Sequence, residues 1–170
     1  MGGLISPEYL EMNKALHATG NYGLRGADRV KDVLYLAVTF EANSILDYGC
    51  GQGTLKKNMA FPVQEYDPAI KGKDSLPRPA DLVVCTDVLE HIEPECLEAV
   101  LAHLKSLTKT ACYVVVHIGA AKKILSDGRN AHLLQKPAMW WEEKLLKYFD
   151  LVEKQVVDNE AAFVLAVKRG

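Results

Sequence analysis

The segment Ser44–Lys57, SILDYGCGQGTLKK, places an apolar run directly before one acid, Asp47, and a cluster of three glycines. A strand-like run, a glycine turn and a helical segment describe a tight turn feeding a helix N-terminus, where exposed amides favour an anionic group. The dinucleotide fingerprint GxGxxG does not fit, because counting from Gly49 places Thr54 where its third glycine belongs. Asp47, just before the turn, would repel a pyrophosphate but can accept hydrogen bonds from an ammonium group. The segment therefore predicts a ligand with one positive and one negative end, such as an amino acid moiety.

A second acid, Asp67, ends the next apolar run, in the stretch EYDPA. An acid at the end of the second strand of an α/β sheet is suited to bidentate hydrogen bonds with ribose hydroxyls. An amino acid group near Asp47 and a ribose near Asp67 together describe S-adenosylmethionine. We therefore predict S-adenosylmethionine as the cofactor, with S-adenosylhomocysteine as its product.

The sequence resembles the class I S-adenosylmethionine-dependent methyltransferases in three motifs, DYGCGQG, EYDPA and TDVLEHIEP, the last running from Thr86 to Pro94. TDVLEHIEP is similar to the motif after the fourth strand of the small-molecule and ubiquinone-pathway subgroup. The resemblance covers about residues 20–168. It implies a Rossmann-like, doubly wound, mostly parallel sheet and methyl transfer, most simply to a small molecule, with nucleic acid or protein acceptors as alternatives. The motifs then imply these cofactor-binding residues: Asp47, Gly49, Cys50, Gly51, Tyr66, Asp67, Pro68, Thr86, Asp87 and Val88.

Two other functions are compatible with the same motifs. One is a cofactor-fold protein that binds or regulates without transferring a methyl group, and the other is an enzyme that cleaves the cofactor itself. The sequence lacks an NPPY-type motif for exocyclic-amine base methylation and an evident cysteine nucleophile for C5 chemistry. The acceptor, and whether its O, N, S or C atom is methylated, is left open.

Two histidines, His132 and His91, are the candidates for catalysis. His132 lies in DGRNAHLLQKPAMWW, at the position of the family's substrate-covering insertion, which predicts a base or a substrate contact. A solvated loop histidine is the alternative. His91 is the last residue of the pattern D-x-x-E-H, formed by Asp87, Glu90 and His91. In some related O-methyltransferases a similar set, E-x-x-E-H, binds a divalent metal. Three adjacent ligands seldom suffice, so no metal is assigned and a hydrogen-bonded structural histidine is the alternative.

The glycine-rich segment Gly20–Asp28 is either a connector between two helices or a loop that closes over a ligand. Within it, Tyr22 and Arg25 are predicted to cover the methionine end of the cofactor, with Arg25 pairing with its carboxylate. An ordinary interhelical loop is the alternative. Asp87 likewise has two interpretations: it lines the cofactor site, or it caps a helix.

Alternating apolar runs and helical segments must position these residues. Two helical patterns open the chain, the first with a serine and proline start at Ser6–Pro7, and a strong helix enters at Pro94. Short apolar runs between helices predict a parallel sheet covered on both sides. The apolar residues of the first helix are Tyr9, Met12 and Leu16, those of the second are Val30, Val33, Leu34, Ala37 and Val38, and those of the helix after Pro94 are Leu97, Val100, Leu101, Leu104 and Leu107. The apolar runs are Ile45–Leu46, Phe61–Tyr66, Leu82–Thr86 and Ala111–His117.

The end of the chain departs from the alternation. LVEKQVV and AAFVLAVK are joined by Asp158–Glu160, a connection too short for a parallel crossover, which predicts an antiparallel hairpin. The stretch between Asp67 and Asp81 is too short for the helix, strand and helix of a full family member, so a reduced third-strand region is expected. Asp74–Ser75 is then the local candidate for the contact to the adenine amino group.

Composition sets the broader expectations. A chain of 170 residues, 49% hydrophobic, predicts one domain over residues 1–170, with helices and a loop in 1–42 and a cofactor-binding core in 43–170. The net charge of -2 does not support a nucleic-acid binder, although a local basic rim would still allow such an acceptor.

The four cysteines form no CxxC pair or zinc spacing, which indicates reduced thiols and a reducing compartment. No apolar segment approaches the roughly 20 residues of a membrane span, and charged residues occupy the first 30 positions, where a signal peptide would be apolar. A cytoplasmic location without membrane association is therefore expected. The sequence does not specify an oligomeric state.

Overall fold

Six strands form one sheet in the computed structural model, which describes residues 3–168. In chain order the elements are helix α1 (Pro7–Ala18), the 3-10 turn Arg25–Arg29, helix α2 (Val30–Thr39), strand β1 (Ile45–Tyr48), helix α3 (Thr54–Lys57), strands β2 (Val63–Tyr66) and β3 (Ala80–Thr86), the 3-10 turn Leu89–His91, helix α4 (Leu97–Leu107), strand β4 (Thr108–His117), helix α5 (Ala138–Leu145), and strands β5 (Phe149–Val157) and β6 (Glu160–Val167). None of the helices in this described range is long and apolar enough to span a bilayer.

The strand order is β2-β1-β3-β4-β6-β5. Strands β2, β1, β3 and β4 are mutually parallel, whereas β6 runs antiparallel to both β4 and β5. The predicted Rossmann-like, mostly parallel sheet with a C-terminal antiparallel hairpin is confirmed. The hairpin turn is shorter than expected, because Glu160 already pairs with Val157 and only Asp158 and Asn159 connect the strands.

The edge next to β2 shows the expected reduction of the third-strand region. Residues 67–79 form turns and contain neither a helix nor a strand. Backbone hydrogen bonds close this segment on itself, with the Asp67 amide donating to the Lys73 carbonyl over 2.9 Å and the Lys73 amide donating to Ile70 over 2.9 Å. Strand β2 is therefore an edge of the sheet, and the glycine turn and Asp67 lie near that edge.

An apolar layer covers each face of the sheet. Helices α4 and α5 pack on one face with Trp141 and Phe163, while α2 and α3 pack on the other with Val33 and Leu55. All five apolar residues predicted for the face of α4 are buried. Because a parallel strand buried on both sides presents successive residues to opposite layers, β3 is apolar almost throughout.

The predicted apolar stripe of α2 is wrong at two positions. Leu34 and Val38 are 43% and 80% exposed, whereas Val33 and Leu36 are buried. Apolar residues occur on two faces of this helix, and only the face carrying Val33 and Leu36 can turn toward the sheet.

Helix α1 begins as predicted. Ser6 is its N-cap, its hydroxyl accepts a hydrogen bond from the Tyr9 amide over 3.2 Å, and a proline stands in the first turn. The Ser6 hydroxyl also donates to Glu93 over 2.6 Å, and the Tyr9 hydroxyl donates to the His91 carbonyl over 2.7 Å. These bonds hold α1 against the turn that follows β3, above the carboxyl ends of the strands.

Truncation of the core of α4 is expected to be costly. Leu104 is fully buried between the helix and the sheet, so Leu104→Ala should lower the free energy of unfolding by about 2–5 kcal/mol. Urea denaturation at neutral pH measures this loss. The neighbouring exposed Lys105 provides the control, because Lys105→Ala should change stability by no more than about 0.5 kcal/mol. Equal losses for the two variants would contradict the packing of α4.

Candidate active site

A cavity of about 780 Å³ opens at the carboxyl ends of the parallel strands. This volume lies within the range of about 300–1,000 Å³ that is usual for small-molecule sites. Open α/β sheets bind ligands at this end of the strands. Strand ends line the cavity floor, and α1 with the segment that follows it lines the opposite wall.

The glycine turn after β1 has the backbone geometry that its sequence requires. Gly49 and Gly51 have φ angles of 74° and 52°, which L side chains rarely adopt. The Gly49 and Cys50 amides donate to the Tyr66 carbonyl over 2.7 and 3.0 Å, tying the turn to the end of β2. A side chain at Gly51 would collide with Gly23, whose carbonyl accepts a hydrogen bond from the Gln52 amide over 2.9 Å. The glycine turn therefore also contacts the N-terminal segment, at Gly23.

Asp47, the last residue but one of β1, is a buried acid on the cavity wall. Its carboxylate makes no hydrogen bond or ion pair with any residue in the range 3–168, although the side chain is only 5% exposed. Burial, followed by repulsion from Glu65, raises the pKa of Asp47 to about 7. A positively charged ligand group is the natural partner for such a carboxylate.

Asp67 is held in place by two backbone amides. Its Oδ2 accepts from the Gly51 amide over 3.1 Å, and its Oδ1 accepts from the Ala69 amide over 3.0 Å. His17 of α1 approaches Oδ2 with its Nε2 at 3.8 Å. Each carboxylate oxygen can accept more than one hydrogen bond, so the fixed carboxylate retains acceptor capacity toward the cavity.

The end of β3 carries an acid beside two arginines. Asp87 has a φ of 55°, and its oxygens lie 3.7 Å from Arg25 and 3.7 Å from Arg29. Burial raises the pKa of Asp87, while the two arginines oppose that rise. Glu160 at the start of β6 accepts a hydrogen bond from Arg29, so the arginines are shared between two acids. Val88, and not Asp87, precedes the following 3-10 turn, so the helix-cap interpretation of Asp87 is wrong.

Histidines from three segments meet in the lining of the cavity. The rings of His91 and His132 lie with centroids 4.8 Å apart, and those of His117 and His132 lie 4.9 Å apart. Burial, followed by the charge of His132, lowers the pKa of His91 to about 4. Burial also lowers the pKa of His132, so both imidazoles are neutral near pH 7. Tyr22 closes over this group, with its hydroxyl 3.2 Å from Nδ1 of His91.

Sequence comparison with protein families gives one match, to a methyltransferase domain, over residues 23–153. The chain belongs to this methyltransferase family. The match covers most of the strands and the cavity described above. No curated protein matches the methyltransferase at a significant level.

Solved structures with the same fold as the methyltransferase act on very different molecules according to their names. The Burkholderia thailandensis 1,6-didemethyltoxoflavin-N1-methyltransferase, solved with 1,6-didemethyltoxoflavin and S-adenosylhomocysteine, shares 15% identity, with a TM-score of 0.67 over 99% of this chain and 93% of its own. The Synechocystis PCC 6803 magnesium protoporphyrin IX methyltransferase, with bound S-adenosylhomocysteine, shares 18% identity, with a TM-score of 0.60 over 84% of this chain and 83% of its own. The 16S rRNA methylase RmtB shares 20% identity, with a TM-score of 0.54 over 98% of this chain and 77% of its own. At these identities the likeness is one of fold.

The sequence-based candidates of the methyltransferase converge on one cavity. Both predicted catalytic histidines, His91 and His132, line it. The residues predicted to bind the cofactor that also line it are Tyr22, Arg25, Asp47, Gly49, Cys50, Gly51, Tyr66, Asp67, Pro68, Thr86, Asp87 and Val88. Their placement is a structural fact, and their individual roles are predictions.

One expectation outside this set is wrong, and the two tryptophans also lie apart from the cavity. Asp74–Ser75, the predicted adenine contact, does not line the cavity, because Asp74 caps its own turn by accepting a hydrogen bond from the Gly72 amide over 3.1 Å. Trp141 is fully buried in the core, and Trp140 packs against it with ring centroids 5.0 Å apart. The tryptophans therefore pack rather than line the cavity of the methyltransferase.

Helix α1 contributes cavity residues that were not assigned a role from the sequence. Tyr9, Asn13 and His17 recur at every fourth position, which places them on one face of the helix, and all three line the cavity. Lys123 and Asn159 reach the cavity from loops after β4 and β5. The four-residue spacing of polar side chains on α1 was a usable signal, whereas neither loop residue lies in a local pattern that indicates a site.

Proposed function

We propose that this methyltransferase transfers a methyl group from S-adenosylmethionine to a small-molecule acceptor bound beside His91 and His132. The observation that carries the proposal is the buried Asp47 carboxylate, which faces the cavity without a protein partner in the described range. An amino acid ammonium group satisfies such a carboxylate. Solved structures of the same fold with bound S-adenosylhomocysteine support the choice of cofactor.

The residues present fit S-adenosylmethionine. Asp47 would hold the ammonium group, and Asp67 would accept from the ribose hydroxyls. The amides of Gly49–Gly51, which the sequence predicted to be free for an anionic group, already donate to Tyr66 and Asp67. Arg25 would contribute positive charge near the carboxylate, although it also lies within 3.4 Å of Glu160. When bound, S-adenosylmethionine supplies a methyl group on a positively charged sulfonium sulfur.

The chain itself positions the acceptor and keeps water out. Helix α1 and Tyr22 cover the cavity, which favours a desolvated and aligned acceptor. A base is needed only where the acceptor must lose a proton. His91 and His132 are neutral near pH 7, so each has an unprotonated ring nitrogen that can accept that proton.

The wall of the cavity favours a small acceptor over a folded macromolecule. Helix α1 is tied to Glu93 through Ser6, and the segment after it is tied to the glycine turn through Gly23. These contacts hold the N-terminal segment against the lining of the cavity, which narrows the space left for an acceptor. The net charge of -2 adds no attraction for a polynucleotide. The likeness to an rRNA methylase makes RNA the alternative acceptor class to be tested.

The proposal extends to organisation and location. It treats the chain as a single domain, with residues 1–42 covering a cofactor-binding core in residues 43–170, which is supported by the contacts of α1 with the turn after β3. It places the protein in the cytoplasm, which is supported by four cysteines that are buried free thiols.

Calorimetry and product analysis test the proposed function. The purified chain should bind S-adenosylhomocysteine at one site, and it should convert S-adenosylmethionine to S-adenosylhomocysteine only when an acceptor is present. An acceptor panel of phenols, catechols, carboxylic acids, amines and rRNA, read by mass spectrometry, should give methylated products among the small molecules. Absence of cofactor binding would refute the proposal, turnover without acceptor would indicate a cofactor-cleaving enzyme, and methylation of RNA alone would overturn the acceptor class.

A further inference from the structure

Lys123 is a cation of the cavity lining that forms no ion pair with an acid in residues 3–168. Its ammonium nitrogen lies 5.4 Å from the centroid of the Tyr22 ring and makes no hydrogen bond to another residue of that range. Arg25, a second cation of the same lining, lies in contrast 3.7 Å from Asp87 and 3.4 Å from Glu160. A lysine ammonium carries three N–H donors, so Lys123 keeps its hydrogen-bonding capacity for a ligand.

Hydrogen bonds fix the backbone on both sides of Lys123. The Ala131 amide donates to the Lys123 carbonyl over 3.0 Å. The Asn130 side chain accepts from the Ala121 amide over 3.0 Å and donates to the Ala121 carbonyl over 2.9 Å. The same Asn130 oxygen accepts from the His132 amide over 2.9 Å. The segment that carries Lys123 is therefore tied directly to the segment that carries His132.

Apolar packing holds the same loop against helix α1. Leu125 and Ala131 are buried and pack with Tyr9 of that helix. The contact of the Lys123 ammonium with the face of an aromatic ring adds an electrostatic attraction that favours this position of the side chain. The fold therefore places Lys123 at the cavity, where a lysine on an unattached loop would extend into water.

Topology separates Lys123 from the predicted cofactor contacts. Asp47 and Asp67 lie at the ends of β1 and β2, whereas Lys123 follows β4, which is separated from β1 by β3. Tyr22 connects Lys123 to His91, because the lysine lies over the tyrosine ring and the tyrosine hydroxyl lies 3.2 Å from Nδ1 of His91. The inference rests on the proposed function, which places the acceptor beside His91, and Lys123 then lies within reach of that acceptor.

The acids of the cavity lining are accounted for without Lys123. They are Asp47, Asp67 and Asp87. The proposed function assigns Asp47 to the cofactor ammonium and Asp67 to the ribose, and Asp87 lies beside two arginines. Lys122, next in the chain, also lines the cavity and forms no ion pair in the part of the chain that the structure describes. The acceptor therefore meets an excess of positive charge.

We propose that Lys123 binds an anionic group of the acceptor, a carboxylate or a phosphate, and that the charge of Lys122 strengthens this attraction. A lysine ammonium acts as a point charge with several donors, so it binds either anion. Away from bulk water such a charge pair is stronger, and a neutral acceptor would leave the ammonium without a partner. The acceptor class is therefore an organic acid or phosphate ester, whose anionic group anchors it while a second group receives the methyl.

Lysine NMR tests the site without requiring activity or a known acceptor. In chain labelled with ¹³C at the lysine ε-carbons and saturated with S-adenosylhomocysteine, the Lys123 signal is identified by its absence from Lys123→Gln. Sodium benzoate or sodium phosphate should shift this signal and saturate at about millimolar concentrations, as expected for one charge-assisted contact. Benzamide has the same ring without the charge and should not shift it. Saturation by one anion alone would assign that anion class.

Lys105 is the matched control, because it is an exposed lysine of α4 that forms no ion pair within residues 3–168. A Lys123 signal that responds to the anions no more than the Lys105 signal would overturn the proposal. Read from backbone amide signals, Lys123→Gln should weaken anion binding about tenfold. Lys123→Arg and Lys105→Gln should retain it within about threefold, because both keep a cation at residue 123.

Titration of S-adenosylhomocysteine into the same variants, and of the anions into ligand-free chain, separates the two proposals. A chain that binds S-adenosylhomocysteine but neither anion refutes the acceptor class alone. One that binds an anion at Lys123 but not S-adenosylhomocysteine refutes the proposed function alone. If Lys123→Gln weakens S-adenosylhomocysteine binding tenfold and the anions bind only in its absence, Lys123 pairs with the cofactor carboxylate, and the proposal is overturned.

Discussion

Asp47→Asn is expected to weaken S-adenosylhomocysteine binding about 100-fold at pH 8 while it stabilises the ligand-free protein. The loss of affinity corresponds to about 2.7 kcal/mol, within the range for removing one partner of a buried charge pair. The gain in stability has the same origin, because the ligand-free Asp47 carboxylate is buried without a partner in the described range. A variant that merely disturbed folding would lose both affinity and stability.

The pH dependence gives this prediction a definite sign. The pKa of Asp47 is raised from 3.8 to about 7, so its contribution to stability is complete below about pH 4 and is lost as the pH rises toward 7. Asp47→Asn should therefore gain stability relative to the wild-type chain between pH 4 and 7, by about 2 kcal/mol after the amide's own hydration is counted, and hold that difference above pH 7. Thermal melts at pH 4.5 and pH 8 measure the difference.

Cofactor affinity should follow the opposite course. Binding to the ammonium group requires the ionised carboxylate, so wild-type affinity for S-adenosylhomocysteine should fall about tenfold per pH unit below pH 7. Asp47→Asn should lose this dependence. Asp74→Asn is the matched control, because Asp74 lies outside the cavity in an exposed turn and should leave both affinity and its pH profile unchanged. A wild-type affinity that is constant from pH 5.5 to 7.5 would contradict the role of Asp47.

Gly49→Ala is expected to destabilise the protein by about 3–4 kcal/mol, through two separable effects. An alanine at a φ of 74° costs about 1–2 kcal/mol in backbone strain. Its Cβ would also lie 2.9 Å from Cγ1 of Val88, and closer still to Cγ2, so the end of β3 must shift. Guanidinium denaturation measures the total.

Two further variants separate strain from collision. Gly72 has a φ of 87°, and a Cβ at this residue would have no heavy atom within 4 Å, so Gly72→Ala carries only the strain and should cost about 1 kcal/mol. Val88→Ala removes the colliding methyl groups, so the double variant with Gly49→Ala should recover at least about 1 kcal/mol relative to additive losses. Additive losses would show that Val88 does not limit the glycine turn. Cofactor binding by the double variant would then report whether the turn has regained its shape.

Much of the cofactor side was predictable because its signals are local in the chain. The glycine turn, Asp47 and Asp67 each occupy the end of a strand, and parallel strands bring such ends to one edge. The short connection at Asp158–Asn159 likewise allows only an antiparallel pair. The segment after Asp67 was expected to lack a third strand because it has too few residues to form one.

The histidine cluster of the cavity could not be predicted in the same way. Residue spacing placed Asp87, Glu90 and His91 together, yet the structure pairs Asp87 with arginines and brings His132 to Glu90. The exposure of Leu34 and Val38 on α2 also depends on which helix face packs against the sheet. Such contacts join segments that are distant in sequence, so the periodicity of residues within one segment cannot predict them.

Residue order alone predicted where the strands end, the glycine turn at Gly49–Gly51 and the hairpin, because each depends on backbone conformation and chain length within a few residues. Three features required the packed fold: Asp47 lacks a protein partner in the described range, α1 lines the cavity, and Glu90 lies near two imidazoles. Burial and hydrogen-bond satisfaction are properties of packed surroundings, so they appear only when all elements are in place.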